Sequence, residues 1–184
     1  MFRSRHPDAE QPAVRWLPFQ LNPQLPAQGM PRAEYVARKF GNRRGVYDRV
    51  TAVGAALGIP FAFDRIAVQP NTVDPHRLLV YAERAGRQDE MAEALFRAYF
   101  TQGADLSDRA RLGVIAEEAG LDPAAIAAYL ASDEDRAAVI EADSNTRSSG
   151  MVDGVPFFIF NRKVGVPGAQ DAAVLLDALE QSLA

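Results

Sequence analysis

A continuous apolar run near the C-terminus constrains the fold of this chain more than any other feature. Residues 155–161 read VPFFIFN and are flanked by turn-forming residues, which predicts a buried strand. Arg162 and Lys163 then make a tight turn into 164–166, so the two segments form a predicted hairpin. Residues 170–183 carry apolar side chains at helical spacing and predict an amphipathic helix. The chain is therefore expected to end in strand, strand and helix.

One further strand is predicted at the other end of the chain. Residues 13–22 alternate, with Val14, Trp16 and Phe19 facing one way, and Pro18 suits only an edge or a bend. A loop follows at 22–31, and 62–72 is irregular or a short strand. Helical spacing and helix-stop residues predict helices at 31–41, 43–57, 74–86, 89–101, 107–119, 122–131 and 132–145. Sparse strands around about seven helices predict an α/β layer with a helical insertion.

Composition excludes several classes of function. The 184 residues contain no cysteine and two histidines, which rules out thiol nucleophiles, disulfides and thiolate or histidine-rich metal sites. A net charge of −4 argues against a nucleic-acid partner. No apolar run approaches the roughly 20 residues of a membrane span. The first residues lack the apolar core of a signal peptide, so the expected location is cytoplasmic.

The ordered segments of the chain resemble a known family. Residues 154–160 and 166–170, followed by the terminal helix, resemble the end of DsbA-family thioredoxin-fold proteins. The closest resemblance is to the FrnE-like branch, related to 2-hydroxychromene-2-carboxylate isomerases and kappa-class glutathione transferases. Segments 16–23, 35–41, 70–78 and 94–100 agree in order. The resemblance implies an α/β, thioredoxin-like fold with a large all-helical insertion: 13–26 and 132–184 form the incomplete thioredoxin-like domain, and 27–131 the insertion.

The chain departs from the family at its start. Members begin with a strand and a helix carrying Cys-Pro-x-Cys, whereas this sequence opens at the Trp-x-Pro-Phe segment. The resemblance thus implies that the first strand and first helix are absent from this chain, and that it has no catalytic residue. Disulfide exchange requires a thiolate, so we expect a redox-inactive, truncated or degenerate oxidoreductase. A missing central strand leaves unpaired strand edges, which predicts a homodimer.

The resemblance also implies a set of substrate-binding residues. The Val155–Pro156 bond is cis in the family, and extended substrate pairs with the backbone of the residue before the proline; the alternative is a trans proline opening a core strand. Ala169 and Gln170 precede a helix N-terminus near which relatives bind the γ-glutamyl carboxylate of glutathione; the alternative is an ordinary cap. Asn71 and His76 are implied near the cleft, with ordinary packing as the alternative.

Three functions remain open from the sequence. The first is the redox-inactive oxidoreductase, which needs no cofactor or metal and takes an extended peptide or a small thiol or disulfide as substrate. The second is a glutathione-dependent isomerase or transferase, in which glutathione supplies the thiol. The third is a non-enzymatic remnant that binds peptides or oligomerises. None of the three involves nucleic acid or a membrane.

Overall fold

The computed structural model describes residues 2–41 and 45–183. They form two compact units, one comprising residues up to Val14 together with those from Glu141 onward, the other Arg15–Ile140. The predicted division into 13–26 with 132–184 and 27–131 stays a prediction.

In chain order the elements are α1 (Phe2–Arg5), β1 (Met30–Pro31), α2 (Arg32–Phe40), α3 (Asp48–Ala56), a 3-10 turn (Phe63–Arg65), β2 (Val68–Gln69), α4 (Val73–Arg84), α5 (Gln88–Gln102), α6 (Arg109–Glu118), α7 (Pro123–Ala131), α8 (Arg136–Ser148), β3 (Phe157–Phe160), β4 (Val164–Pro167) and α9 (Ala172–Leu183).

The larger unit is built on four helices, α4 to α7, each packed on the next. Their buried faces carry aliphatic side chains such as Leu78, Met91, Leu112 and Ile126, all fully enclosed. Burying a side chain of this size contributes about 1.5–3 kcal/mol, so this core supplies much of the unit's stability. The boundaries follow sequence signals: the Asp108 and Asp122 carboxylates accept hydrogen bonds from Ala110 and Ala125 and cap α6 and α7.

The smaller unit contains the hairpin and the terminal helix. Strands β3 and β4 pair antiparallel, with Phe158 opposite Val166, and α9 packs against both strands. The hairpin turn uses Asn161 and Arg162 with φ of 49° and 58°, a left-handed conformation that asparagine tolerates well. The Asn161 side-chain amide donates to Ser182 Oγ at 2.9 Å, which ties the turn to the end of α9. Helix α8 spans the boundary between the two units.

The predicted strand at 13–22 is wrong. None of residues 13–22 lies in a strand. Alternating residues form a strand only where a second strand accepts and donates backbone hydrogen bonds, and in the described chain the strands pair only as β1 with β2 and β3 with β4. A side chain takes that role instead: Gln88 accepts from the Trp16 N–H at 2.9 Å and donates to the Trp16 carbonyl at 3.1 Å.

Smaller differences concern the loops and helix starts. Met30 and Pro31 lie in the predicted loop but pair with Val68 and Gln69 as a short strand. The second predicted helix begins at Asp48; its predicted start at Arg43 lies outside the described residues. The helix predicted from 132 begins only at Arg136, because Asp135 has a φ of 59°. The remaining predicted helices, the hairpin and the terminal helix are confirmed within a few residues. The first strand of the hairpin is not buried as predicted, because one of its faces is half-exposed and Ile159 is exposed.

Candidate functional site

The predicted site residues fall into two groups, one in each unit. Val155, Pro156, Ala169 and Gln170 belong to the smaller unit, and Asn71 and His76 to the larger. The structure brings the first group together, because the Gly168 N–H donates to the Pro156 carbonyl at 2.8 Å and joins the loop before β3 to the loop after β4.

The Val155–Pro156 peptide bond is cis, which confirms the expectation drawn from the resemblance. Val155 lies two residues before the start of β3 and is 46% exposed. Among the described residues, no hydrogen bond involves the N–H or C=O of Val155. These backbone groups are therefore available to an incoming chain.

The register of the hairpin determines which backbone groups of β3 are free. Phe157 lies opposite Pro167. The next pair outward, Pro156 and Gly168, is joined by the hydrogen bond from the Gly168 N–H to the Pro156 carbonyl. Because hydrogen-bonded and non-hydrogen-bonded pairs alternate in an antiparallel ladder, Phe157 and Pro167 form a non-hydrogen-bonded pair. Phe158 and Phe160 consequently exchange hydrogen bonds with β4, whereas the backbone groups of Phe157 and Ile159 point to the opposite edge. No strand among residues 2–41 and 45–183 pairs with that edge. We call this edge, with Val155 at its start, the β3 edge.

The loop that carries Ala169 and Gln170 is ordered by its own hydrogen bonds. The Gln170 side chain donates to the Pro167 carbonyl at 2.9 Å, so its amide is engaged within the loop. The Asp171 carbonyl accepts from the N–H groups of Val174 and Leu175, which makes Asp171 the N-cap residue immediately before α9. Both Ala169 and Gln170 are exposed. A role for them in binding a substrate carboxylate stays a prediction.

Asn71 is fully engaged inside the larger unit. Its side-chain nitrogen donates to the Leu25 carbonyl at 2.8 Å, and its oxygen accepts from the Val73 N–H at 3.0 Å. The residue therefore ties the start of α4 at Val73 to the preceding loop at Leu25. His76 lies one turn later in α4 and is half-buried. Their roles as substrate-binding residues stay predictions.

Sequence reasoning missed the strongest polar centre of the larger unit. Arg77 is completely buried, and its guanidinium donates to Asp74 at 2.8 Å and to three backbone carbonyls at 2.7–2.8 Å, those of Glu134, Tyr129 and Ser132. Burial raises the pKa of Asp74, but hydrogen bonds from Arg109 and Arg77 outweigh that effect and hold it below its ordinary value. The only available signal was an arginine beside Leu78 on an apolar helix face.

The described residues lack the features of a metal site and of a membrane span. They hold no group of three or more potential metal ligands among His, Asp and Glu. No helix in the described part of the chain has the length and apolarity to cross a membrane. What the smaller unit offers is a strand edge with free backbone donors and acceptors.

Comparison with known proteins supports the resemblance. A family model described as DSBA-like thioredoxin domain matches residues 3–180. The crystal structure of a probable DsbA oxidoreductase from Streptomyces coelicolor matches with a TM-score of 0.80 and 32% identity, covering 90% of this chain and 73% of that one. The uncharacterized protein YwbO of Bacillus subtilis (strain 168) is 24% identical over 170 residues, 90% of this chain and 80% of that protein. The DsbA resemblance and the thioredoxin-like α/β fold are confirmed; the FrnE-like branch stays a prediction.

Proposed function

Because this chain belongs to the DSBA-like thioredoxin domain family, we propose that it binds extended peptide substrates of a thiol–disulfide oxidoreductase along the β3 edge without exchanging disulfides itself. The observation that carries the proposal is the set of unpaired backbone groups of Val155, Phe157 and Ile159. An extended peptide added to such an edge gains main-chain hydrogen bonds whatever its side chains are. This suits a protein that receives many different substrates.

The side chains of the β3 edge fit the same role. The strand Phe157–Phe160 carries no charged residue, and Ile159 is 50% exposed. Proteins usually protect free strand edges with charges, prolines or bulges, because bare edges pair with other chains. Here only Pro156 interrupts the edge, at its start. An apolar and uncharged edge favours apolar segments of unfolded or extended chains.

We expect the β3 edge to bind a substrate without catalysing disulfide exchange. Disulfide exchange proceeds by attack of a thiolate on a disulfide sulfur, and the 184 residues contain no cysteine. These residues therefore supply the surface that holds a substrate, while any thiol that takes part lies outside them. We expect no reduction of insulin by dithiothreitol above the rate in buffer when the protein is added.

The binding claim is tested with a matched pair of peptides. The first is an uncharged, extended peptide of alternating threonine and valine; the second replaces one central amide by an ester and so lacks one N–H donor. One lost hydrogen bond of about 1 kcal/mol predicts about fivefold weaker binding of the ester. Equal affinity for both, or no saturable binding at millimolar peptide, contradicts the proposal.

A charge on the edge provides the protein-side control. Ile159→Lys places a cation on the strand and should abolish peptide binding, since strand edges with lysine resist pairing. Ile140→Lys introduces the same charge on α8 at a residue that is 45% exposed, comparable to the 50% of Ile159. That variant should bind the peptide like the parent protein. Loss of binding in both would show a general effect of charge and not a role of the edge.

A further inference from the structure

Helix α2 separates its charged residues onto two faces. Arg32, Tyr35 and Lys39 lie at positions i, i+3 and i+7 and share one face. Glu34 and Arg38 lie four residues apart elsewhere on the helix and form an ion pair with each other. The acidic residue of the helix is thus engaged away from Arg32 and Lys39. We call Arg32, Tyr35 and Lys39 the α2 cation face.

Within the described part of the chain, the groups that contact the Arg32 guanidinium are neutral. Its guanidinium donates to the Tyr47 hydroxyl at 2.7 Å, to the Tyr99 hydroxyl at 3.4 Å and to the side-chain oxygen of Gln69. Its charge also lies over the rings of Tyr47 and Tyr35, at 5.0 and 5.5 Å from their centroids. These contacts orient the side chain but leave its positive charge without a counter-ion.

The missing counter-ion distinguishes Arg32 within the described chain. No carboxylate of residues 2–41 or 45–183 lies within 4.0 Å of either Arg32 or Lys39. The other described cations without an ion pair are exposed to solvent, whereas Arg32 is half-buried among aromatic rings. A partly desolvated guanidinium gains more from an anion than an exposed one does, because screening by water is weaker there.

Lys39 completes the face at the other end of the helix. Its ammonium donates to the Tyr35 hydroxyl at 2.9 Å and lies 5.4 Å from the centre of the same ring. The two cations are seven residues apart, about 10 Å along the helix axis. Tyr35 lies between them on the same face and contacts both cations.

We propose that the α2 cation face binds an acidic peptide segment, with one carboxylate on Arg32, a second on Lys39 and the backbone across Tyr35. A chain in the polyproline II conformation rises about 3.1 Å per residue with three residues per turn, so acidic residues three positions apart share one face and match the spacing of the cations. The protein carries a net charge of −4, so overall attraction cannot draw an anionic peptide to it. Binding of such a peptide must come from a local cationic surface.

The test uses an acetylated and amidated hexapeptide with glutamates at its second and fifth positions, titrated by calorimetry at low ionic strength. The matched peptide carries glutamines at those positions. We expect saturable binding of the glutamate peptide and none of the glutamine peptide. Equal binding of both, or no binding of the glutamate peptide, overturns the proposal. Free glutarate binding as tightly as the peptide also overturns it, since the face would then select a small anion.

Helix α2 supplies its own control variant. Arg32→Gln and Lys39→Gln should each weaken binding about tenfold, as expected when one charge-assisted hydrogen bond is lost. Arg38→Gln removes the same charge from the same helix but from the residue paired with Glu34, and should change binding less than twofold. If Arg32→Gln lowers stability, the peptide affinity of Lys39→Gln tests the proposal instead, because Lys39 is exposed and its replacement should leave folding unchanged. An equal effect of Arg38→Gln and Lys39→Gln overturns the proposal.

Discussion

The side-chain amide of Gln88 bonds both the N–H and the carbonyl of Trp16, at 2.9 and 3.1 Å, as a neighbouring strand would. The indole N–H of Trp16 donates to Asp89 at 2.7 Å, and its ring lies edge-on to Phe96 at 5.6 Å. The first turn of α5 therefore holds the segment around Trp16 in place without strand pairing.

Replacing Gln88 should release this segment. Gln88→Leu removes a donor and an acceptor and leaves two Trp16 backbone groups without partners, which should cost about 1–3 kcal/mol of unfolding free energy. Trp16 is the single tryptophan of the chain, so its fluorescence should shift to longer wavelength in the folded variant. Gln102→Leu, at an exposed position of the same helix, serves as control and should change neither quantity.

Arg77 should be the most sensitive position of the larger unit. Arg77→Lys keeps the charge but cannot reach Asp74 and three carbonyls together, so it should lose about 3 kcal/mol or more in chemical denaturation. Arg84→Lys alters a half-exposed arginine paired with Glu134 and Asp135 and should lose less than about 1 kcal/mol. Similar losses in the two variants would contradict a special role for the buried guanidinium.

Asp74 should make stability depend on pH in the acid range. Burial opposes ionisation of Asp74, but the hydrogen bonds from Arg109 and Arg77 prevail and lower its pKa below the ordinary value of 3.8. A lowered pKa in the folded state stabilises the protein above pH 3.8, and this contribution disappears as the pH falls through the folded-state pKa. Asp74→Asn should therefore be less stable at neutral pH, with a difference that shrinks below about pH 4. A constant difference between pH 7 and 3 would contradict this.

The sequence predicted elements whose signals are local. Asp122 followed by Pro123 gave the start of α7 because cap and proline act on the first turn alone. The prediction of a strand at 13–22 was wrong because alternation shows only which side chains are apolar, whereas a strand also needs a second strand to pair with. The Gln88 contact joins residues 72 positions apart, and no local pattern encodes it.

In the candidate site, too, some features were predicted from the sequence and others depend on contacts between distant residues. The cis bond before Pro156 and the hairpin were expected from the resemblance, which also selected the β3 edge. Arg77 was missed because burial of an arginine depends on carbonyls supplied by α7 and the loop after it. The counter-ion missing at Arg32 is visible only once the positions of all surrounding carboxylates are known.

The β3 edge should also pair with a second copy of the chain when no peptide is present. Two such edges can associate antiparallel about a twofold axis, because the same groups face each other. Light scattering should show a dimer that increases with concentration and dissociates when the threonine–valine peptide is added. Ile159→Lys should remain monomeric. A dimer that persists in this variant at the same concentration would show that another surface mediates it.

Residue-resolved amide hydrogen exchange of β3 tests the central claim most directly. In dilute protein the amides of Phe158 and Phe160, bonded to β4, should exchange slowly, and those of Phe157 and Ile159 should exchange fast. Adding the threonine–valine peptide should slow exchange at Phe157 and Ile159 and leave Phe158 and Phe160 unchanged. Fast exchange at Phe157 and Ile159 that persists at saturating peptide, or slow exchange there in the free monomer, would contradict a substrate-binding β3 edge.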